Sequence, residues 1–432
     1  MDKYLVRKLN VTENDIIEVS VPGSKSVTNR ALLLAAVSNG TTELQGALFS
    51  DDSRHFTDSL IRLGFEVETD EVARTIRVKG EGGRIPEDGA TIDVGSAGTA
   101  ARFLTAMLGL SGGHYTINAS DQMKKRPMKP LFDVLEQLGT DIDYLEEEYH
   151  LPVRINGRRY TGVNSITIDT DESTQYLSAM LMIGPAVKGG LNIKVTGSRK
   201  TGSYVNITRR MMNSFGCDIA YEDEKYIIAP GDSYDIPSDF KYCVEPDVSA
   251  ACYFYGMGAI LGCRARVRNV HFDTTQGDIN FIRALEKMGC KVQDEEQGIL
   301  LTGPEKGHLK GITIDMKNFS DQALTMAAVA VFADSATTIQ NIGHIRKQES
   351  DRLSAMADAL KRMGIKCDEG EDSIVIYPGL PGECEIETYE DHRVAMSFTL
   401  PGIKEGGITI LNPRCCMKTF EDYFDVIDSL YL

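Results

Sequence analysis

Apolar helical stretches alternate with strand-like segments along the chain, and this alternation repeats. Five of the helical stretches end in a glycine, at intervals of 73 to 77 residues: Gly64, Gly139, Gly216, Gly289 and Gly364. Glycine commonly follows the last residue of a helix, and the polar–apolar alternation after each glycine predicts a β-strand. A sixth copy, at 420–430, lacks the glycine. A period this regular predicts one structural unit used six times.

Each repeat contains an earlier helix that begins with polar residues and continues with small apolar ones. Runs such as 105–108, 178–182 and 325–330 are apolar on nearly every side, which predicts buried helices. β-rich segments lie between the two helices, so each repeat is expected to run strand, helix, strand, helix, strand. The polar openings of the six buried helices are residues 24–26, 96–99, 173–175, 247–249, 320–322 and 391–393.

Six repeats exceed what one hydrophobic core ordinarily holds, so the sequence predicts an α/β (α+β) fold with two domains of three repeats each. We expect one domain to span residues 23–242 and the other to span residues 243–432. A turn-rich stretch at 231–238 is the expected linker. Residues 1–22 carry a strand signal without a repeat, and we expect them to complete the sheet of the second domain.

Composition narrows the range of partners. A net charge of −17 argues against binding to nucleic acid or to an anionic membrane. No apolar stretch approaches the ~20 residues that span a bilayer. The nine cysteines include no C-x-x-C pair, which favours a reducing cytoplasm, and the seven scattered histidines do not show the spacing of a metal site.

Helix N-termini facing one cleft would attract anions, because their dipoles add to the charges of nearby cations. Residues 22–30 bring Lys25 to such a terminus, but they lack the glycine spacing of a nucleoside-triphosphate loop. A helix cap and a solvated lysine are the simpler interpretation of this stretch. The wall of such a cleft would contain the cations Lys25, Arg30, Arg102 and Arg393. It would also contain Asp321 as an isolated carboxylate, which is either a base for a substrate hydroxyl or a helix cap.

Two further clusters have a simpler interpretation as well. Residues 124–126 are three consecutive cations, which are either an anion site or a solvated run of charges. Glu349 and Arg352 are spaced as neighbours on a helix, and they form either part of a site or a surface salt bridge.

Six ordered motifs resemble the 5-enolpyruvylshikimate-3-phosphate synthase family over essentially the whole chain. They are residues 22–30, 98–102, 125–127, 349–352, 391–393 and 418–420. The resemblance implies two domains, each of three βαβαββ-like units with helices buried inside sheets, an inside-out α/β barrel that closes on substrate. It also implies transfer of the enolpyruvyl group of phosphoenolpyruvate to the 5-hydroxyl of shikimate 3-phosphate, with release of phosphate, in chorismate biosynthesis. A cytoplasmic monomer that needs no metal or cofactor is expected.

The resemblance also implies the site residues. Those around shikimate 3-phosphate would be Lys25, Ser26, Arg30, Ser173, Thr174, Gln175, Thr201, Tyr204 and Asp321. Those around phosphoenolpyruvate would be Lys25, Gly98, Arg126, Gln175, Arg352, Arg393 and Lys418. Asp321 would accept the proton of the 5-hydroxyl, and Glu349 or Lys25 would protonate the methylene carbon.

The chain departs from the family pattern at several positions. Gln348 replaces the usual lysine and His344 the usual asparagine, and both are expected at the substrate site. Two alternatives stay open. One is an enolpyruvyl transferase acting on UDP-N-acetylglucosamine, whose family resembles this one in fold, and the other, suggested by the loss of a cation at Gln348, is a non-catalytic protein that binds phosphorylated metabolites. A six-unit sliding clamp is disfavoured, because its helices would have to be basic to face DNA.

Overall fold

The computed structural model describes residues 2–158, 162–197, 199–230 and 233–431. The chain divides into two compact units: unit 1 comprises Met1–Pro22 with Pro246–Leu432, and unit 2 comprises Gly23–Glu245. The first two residues of the turn-rich stretch 231–238 lie outside the described residues. The remainder of that stretch belongs to unit 2, where the buried Tyr234 donates a hydrogen bond to the backbone oxygen of Met182.

The chain begins with two strands of unit 1 and then forms all of unit 2. The two strands are β1 (Lys3–Val6) and β2 (Ile16–Val19). The strands of unit 2 are β3 (Thr41–Gln45), β4 (Val67–Asp70), β5 (Thr75–Lys79), β6 (Gly89–Asp93), β7 (His114–Asn118), β8 (Asp141–Tyr144), β9 (Val153–Asn156), β10 (Ser165–Asp169), β11 (Leu191–Thr196), β12 (Ala220–Glu222), β13 (Lys225–Ile228) and β14 (Asp239–Cys243). Its helices are α1 (Lys25–Val37), α2 (Asp51–Arg62), α3 (Gly98–Gly109), α4 (Asp121–Lys124), α5 (Lys129–Gln137), α6 (Thr174–Ile183) and α7 (Ser203–Ser214).

The remainder of unit 1 follows the same plan. Its strands are β15 (Arg264–Val267), β16 (Lys291–Glu295), β17 (Gly298–Thr302), β18 (Thr313–Asp315), β19 (Thr337–Gln340), β20 (Cys367–Glu369), β21 (Ser373–Ile376), β22 (Cys384–Ile386) and β23 (Ile408–Leu411). Its helices are α8 (Val248–Leu261), α9 (Asn280–Lys287), α10 (Ala323–Ala330), α11 (Arg352–Arg362), α12 (His392–Glu405) and α13 (Tyr423–Ser429). Short 3-10 helices at Gly277–Ile279, Ser320–Gln322, Gly343–Lys347 and Pro413–Lys418 precede or follow these elements.

Each unit contains three small mixed sheets. The sheets of unit 2 have the strand orders β14-β3-β5-β4, β6-β7-β9-β8 and β10-β11-β13-β12. The sheets of unit 1 have the orders β16-β17-β15-β2, β18-β19-β21-β20 and β1-β23-β22. Each four-stranded sheet has one parallel and two antiparallel pairings, as a βαβαββ unit requires. The repeat predicted from the hydrophobic pattern, strand, helix, strand, helix, strand, therefore lacked the last strand of this unit. The fold implied by the family resemblance is confirmed.

The two long-range strand pairings explain where the chain changes unit. β2 pairs in parallel with β15 of unit 1, and β14 pairs in parallel with β3 of unit 2 over its whole length. The expected division after residue 242 would cut through β14, whereas the described units divide after Glu245.

The buried helices and the glycine turns follow the hydrophobic pattern. Every residue of α3 and of α10 is buried, and α8 is buried over twelve of its fourteen residues. Strand patterns such as that of β10, with alternating exposed and buried residues, fit sheets that cover these helices on one face. The five repeat glycines all have positive φ angles, between 76° and 110°, as expected for residues that follow a helix.

No helix in the described ranges combines the length and apolar character needed to cross a membrane.

Candidate active site

In unit 2, Lys25 opens α1 and lies beside a buried carboxylate. Ser24 is the N-cap residue, but its side chain makes no capping hydrogen bond, so the simple cap interpretation fails for that hydroxyl. The Nζ atom of Lys25 is 3.3 Å from Oδ2 of Asp52, which is buried in the first turn of α2. Ser26 is half-buried one residue further along α1. The lysine is therefore held in place rather than solvated.

Arg30 is buried one turn further along α1, with only 1% of its surface exposed. Its guanidinium donates to the hydroxyl of Thr208 at 2.8 Å and to the backbone oxygens of Ser26, at 3.0 Å, and Tyr204, at 3.4 Å. No carboxylate forms a salt bridge with it among the residues that the structure describes. Burial lowers the pKa of Arg30 to about 10, so it stays charged at neutral pH. A buried, uncompensated cation is costly unless an anion joins it.

Two arginines converge at the first residue of α3. A Cβ atom built on Gly98 would lie 2.7 Å from Nη1 of Arg102 and 2.8 Å from Nη1 of Arg126. Arg102 is buried, and its Nη1 donates to the backbone oxygen of Gly98 at 3.1 Å. Arg126 follows the short helix α4 and is half-buried, whereas Lys125 is exposed, so the cationic run at 124–126 is solvated only in part. Two guanidinium groups next to a helix N-terminus form a strong anion site.

The third opening of unit 2 presents hydroxyl and amide groups. Ser173 is the N-cap of α6, and its Oγ accepts from the backbone N–H of Gln175 at 3.1 Å. The Oε1 atom of Gln175 is buried and accepts no hydrogen bond from any described residue. Thr174 is half-buried, Thr201 is exposed just before α7, and Tyr204 is half-buried in the first turn of that helix. The charged side chains described in unit 2 are thus four cations, Lys25, Arg30, Arg102 and Arg126, and one carboxylate, Asp52.

In unit 1, Asp321 lies between two arginines. Its Oδ1 is 3.0 Å from Nη1 of Arg352, and its Oδ2 is 3.0 Å from Nη2 of Arg393. All three side chains are largely buried, with exposed fractions of 12%, 4% and 9%. The carboxylate therefore lies among cations, as expected. Two neighbouring guanidinium groups favour its ionised form.

Asp391 anchors the same arginine from the opposite direction. It is fully buried, caps α12 by accepting from the backbone N–H of Arg393, and accepts from Nε of Arg352 at 2.8 Å. Burial acts to raise the pKa of Asp391, but the charge and hydrogen bond of Arg352, together with the charge of His392, outweigh it, and the pKa lies below its ordinary value. Burial acts to lower the pKa of Arg352, and Asp391, Asp321 and Glu349 together raise it above its ordinary value.

Glu349 connects a histidine and a lysine in the same unit. Its Oε2 is 3.0 Å from Nδ1 of His392, and its Oε1 is 3.5 Å from Nζ of Lys418. Glu349 and Arg352 are 3.8 Å apart, and their side chains are only 10% and 4% exposed, so the surface salt-bridge interpretation is wrong. Glu349, Asp391 and His392 also offer three ligand atoms within 4.8 Å of one another. The positive charges of Arg352 and Lys418 next to these carboxylates oppose a metal ion there.

The two residues that depart from the family pattern lie close to this cluster. Gln348 accepts a hydrogen bond from Nη1 of Arg352 through its Oε1, and His344 lies 2.7 Å through Nε2 from the hydroxyl of Ser320. Helix α11 begins only at Arg352, with Asp351 as its N-cap. Gln348 and Glu349 therefore precede the helix, and the helical spacing expected for Glu349 and Arg352 is not the reason that they meet.

Two carboxylates were missed by the sequence analysis. Asp52 looked like an ordinary acid in the first turn of a helix, and Asp278 lies in a short stretch before α9 that gave no signal. Burial and the nearby charge of Asp321 raise the pKa of Asp278 to about 6. The expectation that Asp321 is an isolated carboxylate is therefore wrong.

Comparisons with known proteins agree over nearly the full length. The family model of EPSP synthase (3-phosphoshikimate 1-carboxyvinyltransferase) matches residues 16–427. A 3-phosphoshikimate 1-carboxyvinyltransferase of Trichormus variabilis is 39% identical over 425 residues, covering 98% of both chains. The enzyme with the same name from Vibrio atlanticus is 41% identical over 420 residues, covering 96% of this chain and 97% of its own.

Solved structures give the same picture. EPSP synthase from Acinetobacter baumannii superposes with a TM-score of 0.81 at 25% identity, covering 100% of this chain and 98% of the other. The enolpyruvyl transferase NikO from Streptomyces tendae, at 16% identity, shares the fold with a TM-score of 0.73 over 99% of this chain and 96% of its own.

Proposed function

Because the chain belongs to the EPSP synthase family, we propose that the side chains described above bind and convert that family's substrates. The protein is an enzyme that transfers the enolpyruvyl group of phosphoenolpyruvate to the 5-hydroxyl of shikimate 3-phosphate and releases phosphate. The comparisons do not favour transfer to UDP-N-acetylglucosamine or a role limited to binding. We further propose that it acts as a cytoplasmic monomer.

The observation that carries the assignment of the site is the buried, uncompensated charge of Arg30. The folded chain keeps this guanidinium away from water and from any carboxylate among its described residues. An anionic ligand would complete the site, and shikimate 3-phosphate carries both a carboxylate and a phosphate. Unit 2 also offers hydroxyl and amide groups for its ring and phosphate, from Ser26, Ser173, Thr174, Gln175, Thr201 and Tyr204.

Phosphoenolpyruvate needs several charge-assisted hydrogen bonds, because it carries a carboxylate and a phosphate on three carbons. In unit 2, the absence of a side chain at Gly98 leaves room for a ligand group next to Arg102 and Arg126. In unit 1, Arg352, Arg393 and Lys418 supply three cations, and Lys25 supplies another in unit 2. Arginine suits this task because its planar fork matches a carboxylate or phosphate at two points.

Asp321 is the proposed base for the 5-hydroxyl. Its two arginine partners keep it ionised, and an ionised carboxylate accepts a proton from a hydroxyl within hydrogen-bonding distance. His344 and Gln348, whose contacts lead to Ser320 and Arg352, are proposed to shape the same region of the substrate site. The freed oxygen then bonds to the central carbon of phosphoenolpyruvate.

The methylene carbon of phosphoenolpyruvate takes up a proton in the same addition. Glu349 is the stronger candidate for this acid, since Nδ1 of His392 and Nζ of Lys418 lie 3.0 Å and 3.5 Å from its two oxygens. Lys25 is the second candidate, held by Asp52. The tetrahedral adduct then loses phosphate, the methyl group returns its proton, and the cations stabilise the charge on the leaving group.

Replacing Asp321 by alanine tests this assignment. We expect turnover to fall by about 1,000-fold or more, since a positioned base contributes about 10²- to 10⁴-fold. Binding of each substrate alone, measured by calorimetry, should remain near wild type, because Arg352 and Arg393 gain rather than lose freedom to hold anions. Asp334→Ala, which removes an exposed aspartate of the same unit, is the control. Retained turnover in Asp321→Ala would overturn the proposed role.

A further inference from the structure

Asp278 is a buried carboxylate that takes no part in the chemistry described above. It lies in the 3-10 helix Gly277–Ile279 with 6% of its surface exposed. Its Oδ2 accepts hydrogen bonds from the hydroxyl of Ser249 and, at 3.0 Å, from Nε2 of Gln322. No lysine or arginine forms a salt bridge with it within the described ranges. A buried acid held only by neutral donors is costly to maintain, which suggests a role outside stability.

The two donors connect Asp278 to the proposed base along two routes. Ser249, in the first turn of α8, accepts through its Oγ from Nη2 of Arg393 at 3.4 Å, and the same nitrogen lies 3.0 Å from Oδ2 of Asp321. Gln322 follows Asp321 directly in the chain. Asp278, Ser249, Arg393, Asp321 and Gln322 therefore form a closed ring of contacts that joins four elements of unit 1.

We propose that Asp278 is a positioning residue, whose ionised carboxylate fixes the direction of the Ser249 hydroxyl and thereby holds Arg393 against Asp321. A serine hydroxyl has one hydrogen and two lone pairs. An ionised Asp278 only accepts, so the hydrogen of Ser249 points to it and a lone pair faces Arg393. A protonated Asp278 can donate to Ser249 instead, and the serine hydrogen is then free to point at the guanidinium and break that bond.

The amide of Gln322 closes the other side of the ring. Its Oε1 accepts from the hydroxyl of Thr325 at 3.0 Å, which directs its Nε2 towards Asp278. Thr325 is in turn 3.1 Å from the hydroxyl of Ser397 on α12, the helix that carries Arg393. The ring is thus supported by neighbours on α10 and α12.

The charged and titratable groups around Asp278 determine when it ionises. Asp321 faces it from the 3-10 helix Ser320–Gln322, Arg393 from α12, and Cys252, which also interacts with Asp247, from α8. Burial and Asp321 raise the pKa of Asp278 to about 6, while Arg393 acts to lower it. Above that pH the carboxylate is ionised, so the hydrogen of Ser249 points to Asp278 and Arg393 is held against Asp321. Below it the ring loosens, and kcat should fall.

This inference rests on the proposed role of Asp321, and three variants test it. Asp278→Asn keeps the shape of the side chain but cannot ionise, and Ser249→Ala cuts the ring at its next member. We expect wild-type kcat to decline as the pH is lowered through about 6, and we expect both variants to lack that decline. We expect Ser249→Ala to lower kcat at pH 8 by about 10- to 100-fold, because a misplaced base loses its alignment. The double variant should be no worse than Ser249→Ala alone.

The control is Asp334→Asn, which changes an aspartate that likewise accepts from a serine hydroxyl, at 2.7 Å, and from a backbone N–H, at 3.1 Å. It should keep the wild-type pH profile. Ionisation of the substrates affects every variant equally, so the decline that belongs to Asp278 is measured as the fall of wild-type kcat relative to the kcat of each variant at the same pH. If the low-pH decline persists in Ser249→Ala or Asp278→Asn, the proposal is overturned. If Asp321→Ala turns over normally, the proposed function of the site fails instead, and the two failures are thereby distinguished.

Thermal unfolding adds a readout that does not depend on catalysis. A raised pKa means that the folded protein binds a proton more readily than the unfolded chain, so Asp278 costs stability as the pH rises through about 6. The Tm of Asp278→Asn minus that of wild type should therefore increase between pH 5.5 and pH 8. A difference that is constant with pH would contradict a buried, ionising Asp278.

Discussion

Gly98→Ala is the substitution whose effect can be worked out most directly from the geometry. The added Cβ would lie 2.7 Å from one guanidinium nitrogen of Arg102 and 2.8 Å from one of Arg126, whereas ordinary contacts begin near 3.4 Å. To reach 3.4 Å, Arg102 must retreat by about 0.7 Å and Arg126 by about 0.6 Å. The retreat moves Arg126 away from a ligand seated at the start of α3.

The size of the effect follows from the bonds at risk. A hydrogen bond to a charged group is worth about 1.5–3 kcal/mol, and every 1.4 kcal/mol is a factor of ten. We expect the KM for phosphoenolpyruvate to rise by about 10- to 100-fold and the KM for shikimate 3-phosphate to change by less than about twofold. The phosphonate inhibitor glyphosate should inhibit the wild type and should weaken together with phosphoenolpyruvate in the variant.

Steady-state kinetics with each substrate varied in turn gives all of these constants. Gly89→Ala is the matched control, because a Cβ there meets only the backbone oxygen of His114, at 3.3 Å, on an exposed strand of the same unit. Alanine is also a better helix former than glycine, so Gly98→Ala should not unfold the protein. A wild-type KM for phosphoenolpyruvate in Gly98→Ala would refute the assignment of this region to the donor substrate.

Two further substitutions test the buried charges. Arg30→Met removes an uncompensated buried cation, so we expect the Tm of the free enzyme to rise. The KM for shikimate 3-phosphate should increase at least about tenfold, because a charge-assisted contact is lost. A lower Tm would contradict this account of Arg30. Asp391→Ala leaves Arg352 buried without its principal partner and should lower the free energy of unfolding in urea by about 3 kcal/mol, with partial relief from Asp321 and Glu349. The exposed pair Asp358–Arg362 provides the comparison, and Asp358→Ala should cost no more than about 1 kcal/mol.

The hydrophobic pattern was sufficient for the repeats and their turns. The helix-ending glycines and the polar openings of the buried helices could be identified because both follow from local rules of helix termination and burial. The pairing of β2 with β15 and of β14 with β3 could not be predicted in detail, since strands that lie 248 and 198 residues apart in the chain leave no local signal of their pairing.

The site could be predicted as a set of residues but not as a set of contacts. Arg352 illustrates the difference. Its spacing from Glu349 suggested a helical neighbour, whereas its buried partners Asp321 and Asp391 lie 31 and 39 residues away. Asp278 was missed for the same reason. Its significance comes from Ser249 and Gln322, which the fold brings to it from other elements.

Phosphate release is the measurement that tests the central claim most directly. The purified protein is incubated with phosphoenolpyruvate alone, with shikimate 3-phosphate alone, with both, and with phosphoenolpyruvate plus UDP-N-acetylglucosamine. We expect inorganic phosphate to accumulate only when phosphoenolpyruvate and shikimate 3-phosphate are both present, one phosphate for each enolpyruvyl group transferred. Release with UDP-N-acetylglucosamine, and none with shikimate 3-phosphate, would contradict the account.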